Sequence, residues 1–590
     1  MTSIIANLTT TQIARLSTAT IQSLDTAEVS AMTTSQVGAL TSTQIAALDT
    51  DDVAILSDAQ VSAISSKSVG GLTVSQIAVI DAAKMADFSS TQMTGFTTDQ
   101  LNALSSDQVT ALESTQIGGL SSKQIAVFDS ADLALFSTDE IAAISSKAIA
   151  GITTDVMTAL STDVVAALTT SQVSSLTASQ VAVLTSAQTA VLTSDQVGAL
   201  TSKQVGSLTT DAIAQLGVEN LSSAAITGLT TDQLNALTSD QVDALSSSQI
   251  AALSSKQIAA LASDDIALFS DDEITSISSK AIAGLTTDVI ATLSTDDVAL
   301  LTTAQVASLS TSQVAVLTSD QAAALSSDQA GALTSKQVAS ITTTAIAGLT
   351  VENLSSAAVT GLSTDQMNAL SSDQVTALTT SQVRALSSRQ LAALDSADIA
   401  LFATDEIAAI SSKSITGLST DVIANLGSDA VAALTTAQVA GLASTQIAAM
   451  TTVQVAALTS DQVGALTSKQ VGGLTTDALA SLTVESLSTG AITGLTSTQI
   501  DALSSDQMTA LTSSQVAALS AKQVASIDSG DIALFADDEI TAISTKGITG
   551  LTTDTIAALS DTQIDALSSR QVQAMSNAQV EAVIAAYKTA

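Results

Sequence analysis

The chain has 590 residues, with 17 basic against 56 acidic side chains and a formal net charge of −39; it contains no Pro, Cys, His or Trp. Without Cys there are no disulfides or thiolate metal sites, and without His the commonest general base near neutral pH is missing. The acidic balance disfavours nucleic acid and anionic membranes, whose binding needs clustered Lys and Arg. We therefore expect a protein that is not an enzyme and that has no catalytic, cofactor-binding or metal site.

An apolar residue recurs at every eighth position from Leu8 through Leu216. The stretch from Leu192 to Leu200 is typical and reads Leu-Thr-Ser-Asp-Gln-Val-Gly-Ala-Leu. We number the octad so that the recurring apolar residue is position 8. Position 1 is then usually Ser, Thr or Asp, position 4 is usually Gln, and position 5 is Val or Ile. An eight-residue unit is thus the main structural signal of the sequence.

Positions 1 and 4 carry the signature of a helix start. Ser or Thr followed three residues later by Gln forms a capping box, in which the two side chains satisfy backbone N–H groups of the first turn. The apolar residue before the cap and the residue at position 5 have the spacing of a hydrophobic staple. Each octad therefore predicts one helix of about two turns. Because so short a helix is unstable alone, positions 5 and 8 must be buried against neighbouring units.

Three other structures fit the eight-residue period less well. On one continuous α-helix, eight residues turn through about 800°, so the leucines would share no face. In a β-solenoid, positions 5 and 8 would point to opposite faces of a strand, and Ala and Gln favour helices. Disorder is opposed by 46% hydrophobic residues on a strict period. We predict an all-α fold, an elongated α-solenoid of short helices, with small residues at positions 6 and 7 for close packing and, as a working hypothesis, two octads per coil.

A second, longer period relates Phe136, Phe269, Phe402 and Phe535, whose numbers differ by 133 each time. Because 133 is not a multiple of eight, one unit in each super-repeat is a pentad, at 217–221, 350–354 and 483–487. We expect the pentad to be a register-correcting kink and one super-repeat to correspond to one superhelical turn. The predicted divisions are an N-terminal octad array at 1–88, super-repeats at 89–221, 222–354 and 355–487, a partial super-repeat at 488–583, and a tail at 584–590.

Acidic clusters lie beside the four phenylalanines, and since Ca²⁺ takes several oxygen ligands they are candidate calcium sites. No EF-hand loop and no Gly-Gly-x-Gly-x-Asp nonapeptide is present in the sequence. We favour the interpretation that the carboxylates lie in first turns of helices, where the dipole favours anions, and face Lys147, Lys280, Lys413 and Lys546 of the next octad. The cluster residues are Asp132, Asp139 and Glu140; Asp264, Asp265, Asp271, Asp272 and Glu273; Asp398, Asp405 and Glu406; and Asp531, Asp537, Asp538 and Glu539.

Surface modification and targeting have weaker signals. Asn7, Asn220 and Asn353 each begin an N-glycosylation acceptor sequence, although turn chemistry explains Asn in the pentads equally well and the third pentad has Ser486 instead. The many Ser and Thr residues are candidate carriers of O-linked glycans. No apolar run is long enough to span a bilayer, and the N-terminus lacks the basic and apolar regions of a cleavable signal. We expect surface glycans at most, and no membrane insertion.

The helix-start phrase from Leu192 to Leu200 resembles the Leu-Thr-x-Glu-Gln-Val-type starts of superhelical α-repeat families such as the mesothelin and stereocilin group and, for one helix, of TAL-effector repeats. Those families usually have Pro at the first helical position, which this chain lacks. The resemblance implies a superhelical repeat fold and transfers no functional residue. The acidic, Cys-free composition, rich in Ser and Thr, is also similar to that of bacterial proteins exported by one-step (type I) secretion.

These features favour a non-enzymatic structural protein, extracellular or at the cell surface and secreted without a cleavable N-terminal signal. Near-identical super-repeats present the same surface several times, and multivalency turns weak contacts into firm assembly. A heterologous contact between copies propagates as a filament. We predict a homopolymer that forms a filament, sheath or surface layer. The alternatives are an adhesin or binding module with the solenoid as stalk or ligand surface, an intracellular scaffold, and an ice-binding surface.

Overall fold

The computed structural model describes residues 4–589, and within this range the protein is all-α. These residues form 65 α-helices and nine 3-10 helices, one for each repeating unit, and no strand. Every α-helix begins at octad position 2, and all but the last end at position 5, 6 or 7. The prediction of one short helix per octad is therefore confirmed, and the β-solenoid is excluded for the described residues.

The helix bounds repeat along the chain, and from the first super-repeat onward the same starts recur in each super-repeat. The N-terminal array contains the α-helices Thr10–Ile13, Thr18–Gln22, Thr26–Ser30, Thr34–Ala39, Ser42–Ile45, Thr50–Ala54, Asp58–Ala63, Val74–Ala78 and Ala82–Met85. The first super-repeat contains Ser90–Met93, Thr98–Asn102, Ser106–Thr110, Ser114–Ile117, Ser122–Ile125, Ser130–Leu133, Thr138–Ala143, Thr154–Ala159, Thr162–Ala166, Thr170–Ser175, Ala178–Ala182, Ser186–Ala190, Ser194–Gly198, Ser202–Val205 and Thr210–Ile213. The 3-10 helices are Ile5–Asn7, Val69–Gly71, Ile149–Gly151, Val218–Asn220, Ile282–Gly284, Val351–Asn353, Ile415–Gly417, Val484–Ser486 and Ile548–Gly550.

The core consists of the side chains at positions 5 and 8, as predicted. In the octad 41–48, Ile45 is 0% and Leu48 is 5% exposed, while positions 1, 3 and 6 are exposed. Position 7 is partly buried and makes the closest approach between units. Position 6, although exposed in this octad, also lies close to a neighbouring unit, since a Cβ atom on Gly206 would be 2.7 Å from the carbonyl oxygen of Gly228. Aromatic pairs replace aliphatic residues at two places, and Phe88 packs edge-on against Phe96 with ring centroids 5.1 Å apart.

The glutamine at position 4 does more than cap its own helix. The backbone N–H of Thr41 donates to Gln44 Oε1 (2.9 Å), and the N–H of Gln44 donates to Thr41 Oγ1 (3.3 Å), which completes the capping box. The amide Nε2 of Gln44 then donates to the carbonyls of Ile13 (2.8 Å) and Leu16 (2.9 Å), at positions 5 and 8 four units earlier. We call the repeated set of these Nε2 bonds the glutamine ladder. It connects each coil to the previous one.

The chain divides into two compact units, of which the first is Met1–Thr292. Within Met1–Thr292 a helix packs on the helix three octads further along the chain, as Ser114–Ile117 does on Thr138–Ala143. The glutamine ladder reaches four octads back. One coil therefore holds between three and four octads, and the working hypothesis of two is wrong. Helices of four to six residues are only about 6–9 Å long, and two of them are too short to enclose the side chains at positions 5 and 8.

The second compact unit, Leu293–Ala590, follows the same rule. Ser444–Ala448 packs on Ser468–Gly473 three units along, and Gln523 Nε2 donates to the carbonyls of Ile492 and Leu495, both at 2.9 Å. The last helix, Asn577–Thr589, packs on the two helices Thr553–Ala557 and Asp561–Asp565. This helix runs from the last octad into the predicted tail at 584–590, so the described part of the tail continues the helix.

Each pentad forms a 3-10 helix that takes the place of a complete unit. Gln233, beyond the first pentad, donates to the carbonyls of Val205 (2.9 Å) and Leu208 (2.7 Å), which lie 28 and 25 residues earlier instead of the usual 31 and 28. The reach is still four units. The predicted kink is thus a shortened unit within which the ladder keeps its register, and the proposed superhelical turn per super-repeat stays a prediction. The sequence divisions at 88, 221, 354 and 487 also stay predictions.

Candidate interaction surface

The acidic clusters lie where the sequence predicted, in first turns of short helices. One Asp and one Glu in each cluster occupy position 4, where most units have Gln. Asp132 Oδ2 accepts the N–H of Asp129 (3.1 Å), and Glu140 Oε2 accepts the N–H of Ser137 (2.7 Å). These carboxylates therefore keep the helix cap. Since an ionised carboxylate has no proton to donate, they cannot take part in the glutamine ladder.

The predicted lysine partners do not contribute to the pKa shifts of Asp132 and Glu539. Burial raises the pKa of Asp132, with a further increase from neighbouring Asp129, although the backbone hydrogen bond acts in the opposite direction. Burial likewise raises the pKa of Glu539, and Asp538 raises it further. No lysine contributes to either shift. The helix-start interpretation is thus supported by the caps and not by pairing with Lys147 or Lys546.

The candidate calcium sites are spread out along the units. Among residues 4–589, no three or more Asp or Glu side chains come close enough together to hold a metal ion. Within the same residues, no helix has the length and apolar character needed to cross a bilayer. Asn220 and Asn353 end 3-10 helices, and Asn220 Nδ2 donates to Glu219 Oε1 (2.7 Å), in keeping with a turn role. Asn7 ends the 3-10 helix Ile5–Asn7.

A recurrent exposed leucine lies next to each cluster and was missed by the sequence reasoning. Leu135, Leu268 and Leu401 are each 38% exposed, and Leu534 is 39% exposed. All four occupy position 7 of the phenylalanine unit, a position that is usually Ala or Gly. The signal was present in the phrase Ala-Leu-Phe, whose Leu is too large for that position. Each super-repeat thus presents the same apolar side chain in an acidic setting.

A groove beside the third of these leucines is lined mainly by apolar side chains. Its volume is about 360 Å³, and it is bordered by Ile399, Phe402, Val422 and Leu426, with Asn425 and Asp429 at its polar side. Val422 occupies position 4, so no glutamine amide fills the space between these units. The groove has the volume of about twelve water molecules at roughly 30 Å³ each, enough for a leucine side chain. The octad of Leu401 also contributes Ile399 and Phe402 to this groove, so a protruding and a receiving apolar feature lie side by side.

Comparison with curated proteins finds no significant match to the chain. The family model described as ALTTAQ repeat matches nine segments, and the phrase Ala-Leu-Thr-Thr-Ala-Gln itself occurs at 433–438, from position 7 of one octad to position 4 of the next. The matched segments are 5–42, 85–122, 218–247, 290–327, 351–380, 407–444, 440–468, 484–513 and 540–577. They cover just over half of the chain, and the protein belongs to the family of ALTTAQ repeat proteins.

Proposed function

We propose that this protein is a non-enzymatic structural protein that assembles with further copies of itself. The observation that carries the proposal is the exposed leucine that recurs once in each super-repeat, at Leu135, Leu268, Leu401 and Leu534. A second copy of the chain carries its four leucines at the same spacing, each in the same surroundings. Two copies can therefore make the same contact several times in register.

The energy of each contact is small, and repetition makes it sufficient. Complete burial of a leucine side chain contributes about 1.5–3 kcal/mol, so burying the exposed part of one of these leucines contributes roughly 0.5–1 kcal/mol. One such contact does not hold two molecules together. Once one of the four contacts forms, the other three pairs of surfaces are held close together, which raises their effective concentration. Two copies joined by four contacts therefore bind far more tightly than two copies joined by one.

The net charge of −39 opposes contact between copies and makes assembly dependent on screening. At about 0.01 M salt the Debye length is about 30 Å, and at about 0.15 M it is about 8 Å. We expect single molecules at the lower concentration and large assemblies at the higher one. Calcium ions would promote assembly in the same way, as divalent counter-ions between acidic surfaces.

Sedimentation velocity and negative-stain microscopy of the full chain at the two salt concentrations test the proposal. The variant L135A/L268A/L401A/L534A should keep its helical circular dichroism and stay monomeric. The matched control is I55A/V74A/V79A/V453A, which removes four exposed apolar side chains that do not recur with the super-repeat and should assemble like the wild type. A wild type that stays monomeric at both salt concentrations, or a leucine variant that assembles normally, would contradict self-assembly.

The proposed setting is extracellular, as a filament, sheath or surface layer. Its support is the acidic composition without Cys, which is similar to that of one-step secreted bacterial proteins. Labelling of intact cells with an antibody against the chain tests this part, since an extracellular protein is labelled without permeabilisation. Labelling that requires permeabilised cells would favour an intracellular scaffold.

A binding module or adhesin is the second candidate, and the acidic residues around each leucine favour it. Asp139, Asp272, Asp405 and Asp538 are exposed in the unit that follows each leucine, a setting suited to a ligand with basic groups. Such a protein would sediment as single molecules at every salt concentration. The sedimentation experiment therefore separates the two candidates.

A further inference from the structure

Four glutamates interrupt the glutamine ladder at equivalent places: Glu140, Glu273, Glu406 and Glu539. Glu has the size and shape of Gln, and its carboxylate accepts the N–H of position 1 as the glutamine amide does, with 2.8 Å between Ala536 N and Glu539 Oε2. The difference lies at the other side-chain atom. Where Gln has an Nε2 that donates, the ionised Glu has an oxygen that can only accept.

A glutamine at position 539 would donate to the carbonyls of Met508 and Leu511, which lie at positions 5 and 8 of the octad four units earlier. These two residues are 0% and 2% exposed. Among the described residues no hydrogen bond to the Leu511 carbonyl is found, whereas the Leu487 carbonyl, three units before Leu511, accepts Gln515 Nε2 at 2.7 Å. A buried acceptor without a donor lowers stability. Glu539 is also only half-buried while Gln515 is 2% exposed, as expected when a carboxylate faces carbonyl oxygens.

The carbonyls of the ladder accept donors other than glutamine. At position 4 of the octad 81–88 the residue is Lys84, and its Nζ donates to the carbonyls of Leu56 (2.6 Å) and Ala54 (3.1 Å). The ladder carbonyl at position 8 therefore accepts a donor other than an amide when the side chain at position 4 is long enough to reach it. A protonated glutamate is such a side chain, with one O–H donor.

The surroundings of Glu539 favour its protonated form. Its own helix carries Asp537 and Asp538, and the packed helix Asp561–Asp565 carries Asp561 and Asp565. The octads four places before and after it carry Asp506 and Arg570. The packed helix Ser513–Ala518 carries no charged residue. Only one of these groups is cationic, and burial, the largest cause, together with Asp538 raises the pKa of Glu539.

We propose that the four glutamates make the glutamine ladder pH-sensitive: in acid each carboxyl group donates to the position-8 carbonyl four units earlier and closes the ladder, and at neutral pH this bond is absent. The direction follows from the linkage between protonation and folding. Because the pKa of Glu539 is higher in the folded chain, its contribution to stability is present at low pH and is lost as the pH rises through the folded pKa. This device is independent of the proposed assembly.

The test compares two variants of equal charge by hydrogen exchange of the full chain at low salt. All proteins compared, the wild type included, also carry L135A/L268A/L401A/L534A, so that they are expected to be monomeric at both pH values. The variant E140Q/E273Q/E406Q/E539Q supplies the missing donor. The control D139N/D272N/D405N/D538N removes four negative charges from the preceding exposed position. At pH 7.5 we expect exchange in the glutamate units, corrected for the intrinsic rate, to be about fivefold slower in the Gln variant than in the control, from one restored hydrogen bond per unit.

At pH 4 the advantage of the Gln variant over the wild type should disappear, because the protonated glutamate then makes the same bond. Two results would overturn the proposal. One is equal exchange in the two variants at pH 7.5, which would mean that the added amide does not complete the ladder. The other is an advantage of the Gln variant over the wild type that is the same at pH 4 and pH 7.5, which would mean that the protonated glutamate does not donate.

Discussion

Glycine at position 7 permits the closest backbone contact in the solenoid, and its replacement is the sharpest test of the packing. A Cβ atom on Gly494 would overlap the carbonyl oxygen of Ser468, three units earlier, and lie 2.6 Å from the Ser468 Cα. Both obstacles are backbone atoms, which cannot rotate away. Gly490, four residues before it in the same unit, has open space around it, and the nearest atom to an added Cβ is Ser488 Oγ at 3.9 Å.

The two single-methyl changes should have opposite effects. Overpacking of a close-packed core typically costs about 1–3 kcal/mol, and we expect G494A at the upper end because the units themselves must separate. Gly490 lies inside the helix Thr489–Ile492, where replacing Gly by Ala stabilises by about 0.5–1 kcal/mol. The variants should thus differ by about 3–4 kcal/mol in local stability.

Hydrogen exchange of peptides that cover 488–495 measures this difference directly, because repeat arrays open locally and a single unfolding midpoint would average over many units. G494A should raise the exchange of these amides strongly, and G490A should lower it. If G494A leaves exchange within about a factor of two of the wild type, the close approach of units three apart is wrong. If G490A accelerates exchange as much as G494A, the effect does not come from the Ser468 contact.

Two further substitutions probe the ladder. Q204E removes the amide that donates to the carbonyls of Val173 (2.7 Å) and Leu176 (2.9 Å), and it should lower local stability by about 1–3 kcal/mol. The control Q215E, on the exposed surface, should change local stability by less than about 0.5 kcal/mol. Equal changes in hydrogen exchange around the two sites would argue against the ladder. K84Q should keep most of the local stability of the wild type because an amide can donate to the carbonyl of Leu56, whereas K84M should lose about 1–3 kcal/mol. Equal hydrogen exchange of the two variants in the octads 49–56 and 81–88 would show that the Lys84 hydrogen bonds contribute nothing.

The sequence was sufficient to predict the local structure because its signals are local. Thr41 and Gln44 lie three residues apart, and their capping box follows from that spacing alone. The burial of Ile45 and Leu48 follows from the period, since helices this short need a buried face. The pentads were also visible in the sequence, because the register of the leucines shifts at Leu221.

The number of octads per coil could not be predicted, because it depends on contacts between units far apart in sequence. The bond from Gln44 to Ile13 spans 31 residues, and nothing in one octad indicates whether its partner lies two or four units away. For the same reason the sequence predicts only the capping role of Gln, although its second set of bonds joins the coils. The exposure of Leu401 does not follow from the octad pattern, because the cover over a position-7 side chain comes from other units, whereas Phe402 at position 8 is buried as the period predicts.

Disulfide trapping measures the arrangement of the units most directly, since the chain contains no cysteine of its own. Ser513 Oγ donates to Asp538 Oδ2 at 2.9 Å, across three units of the chain, whereas Ser529 lies only two units beyond Ser513. In the folded protein the pair S513C/D538C should oxidise rapidly and the pair S513C/S529C slowly. In urea the order should reverse, because the shorter loop closes more readily. Faster oxidation of S513C/S529C in the folded protein would contradict coils of three to four octads.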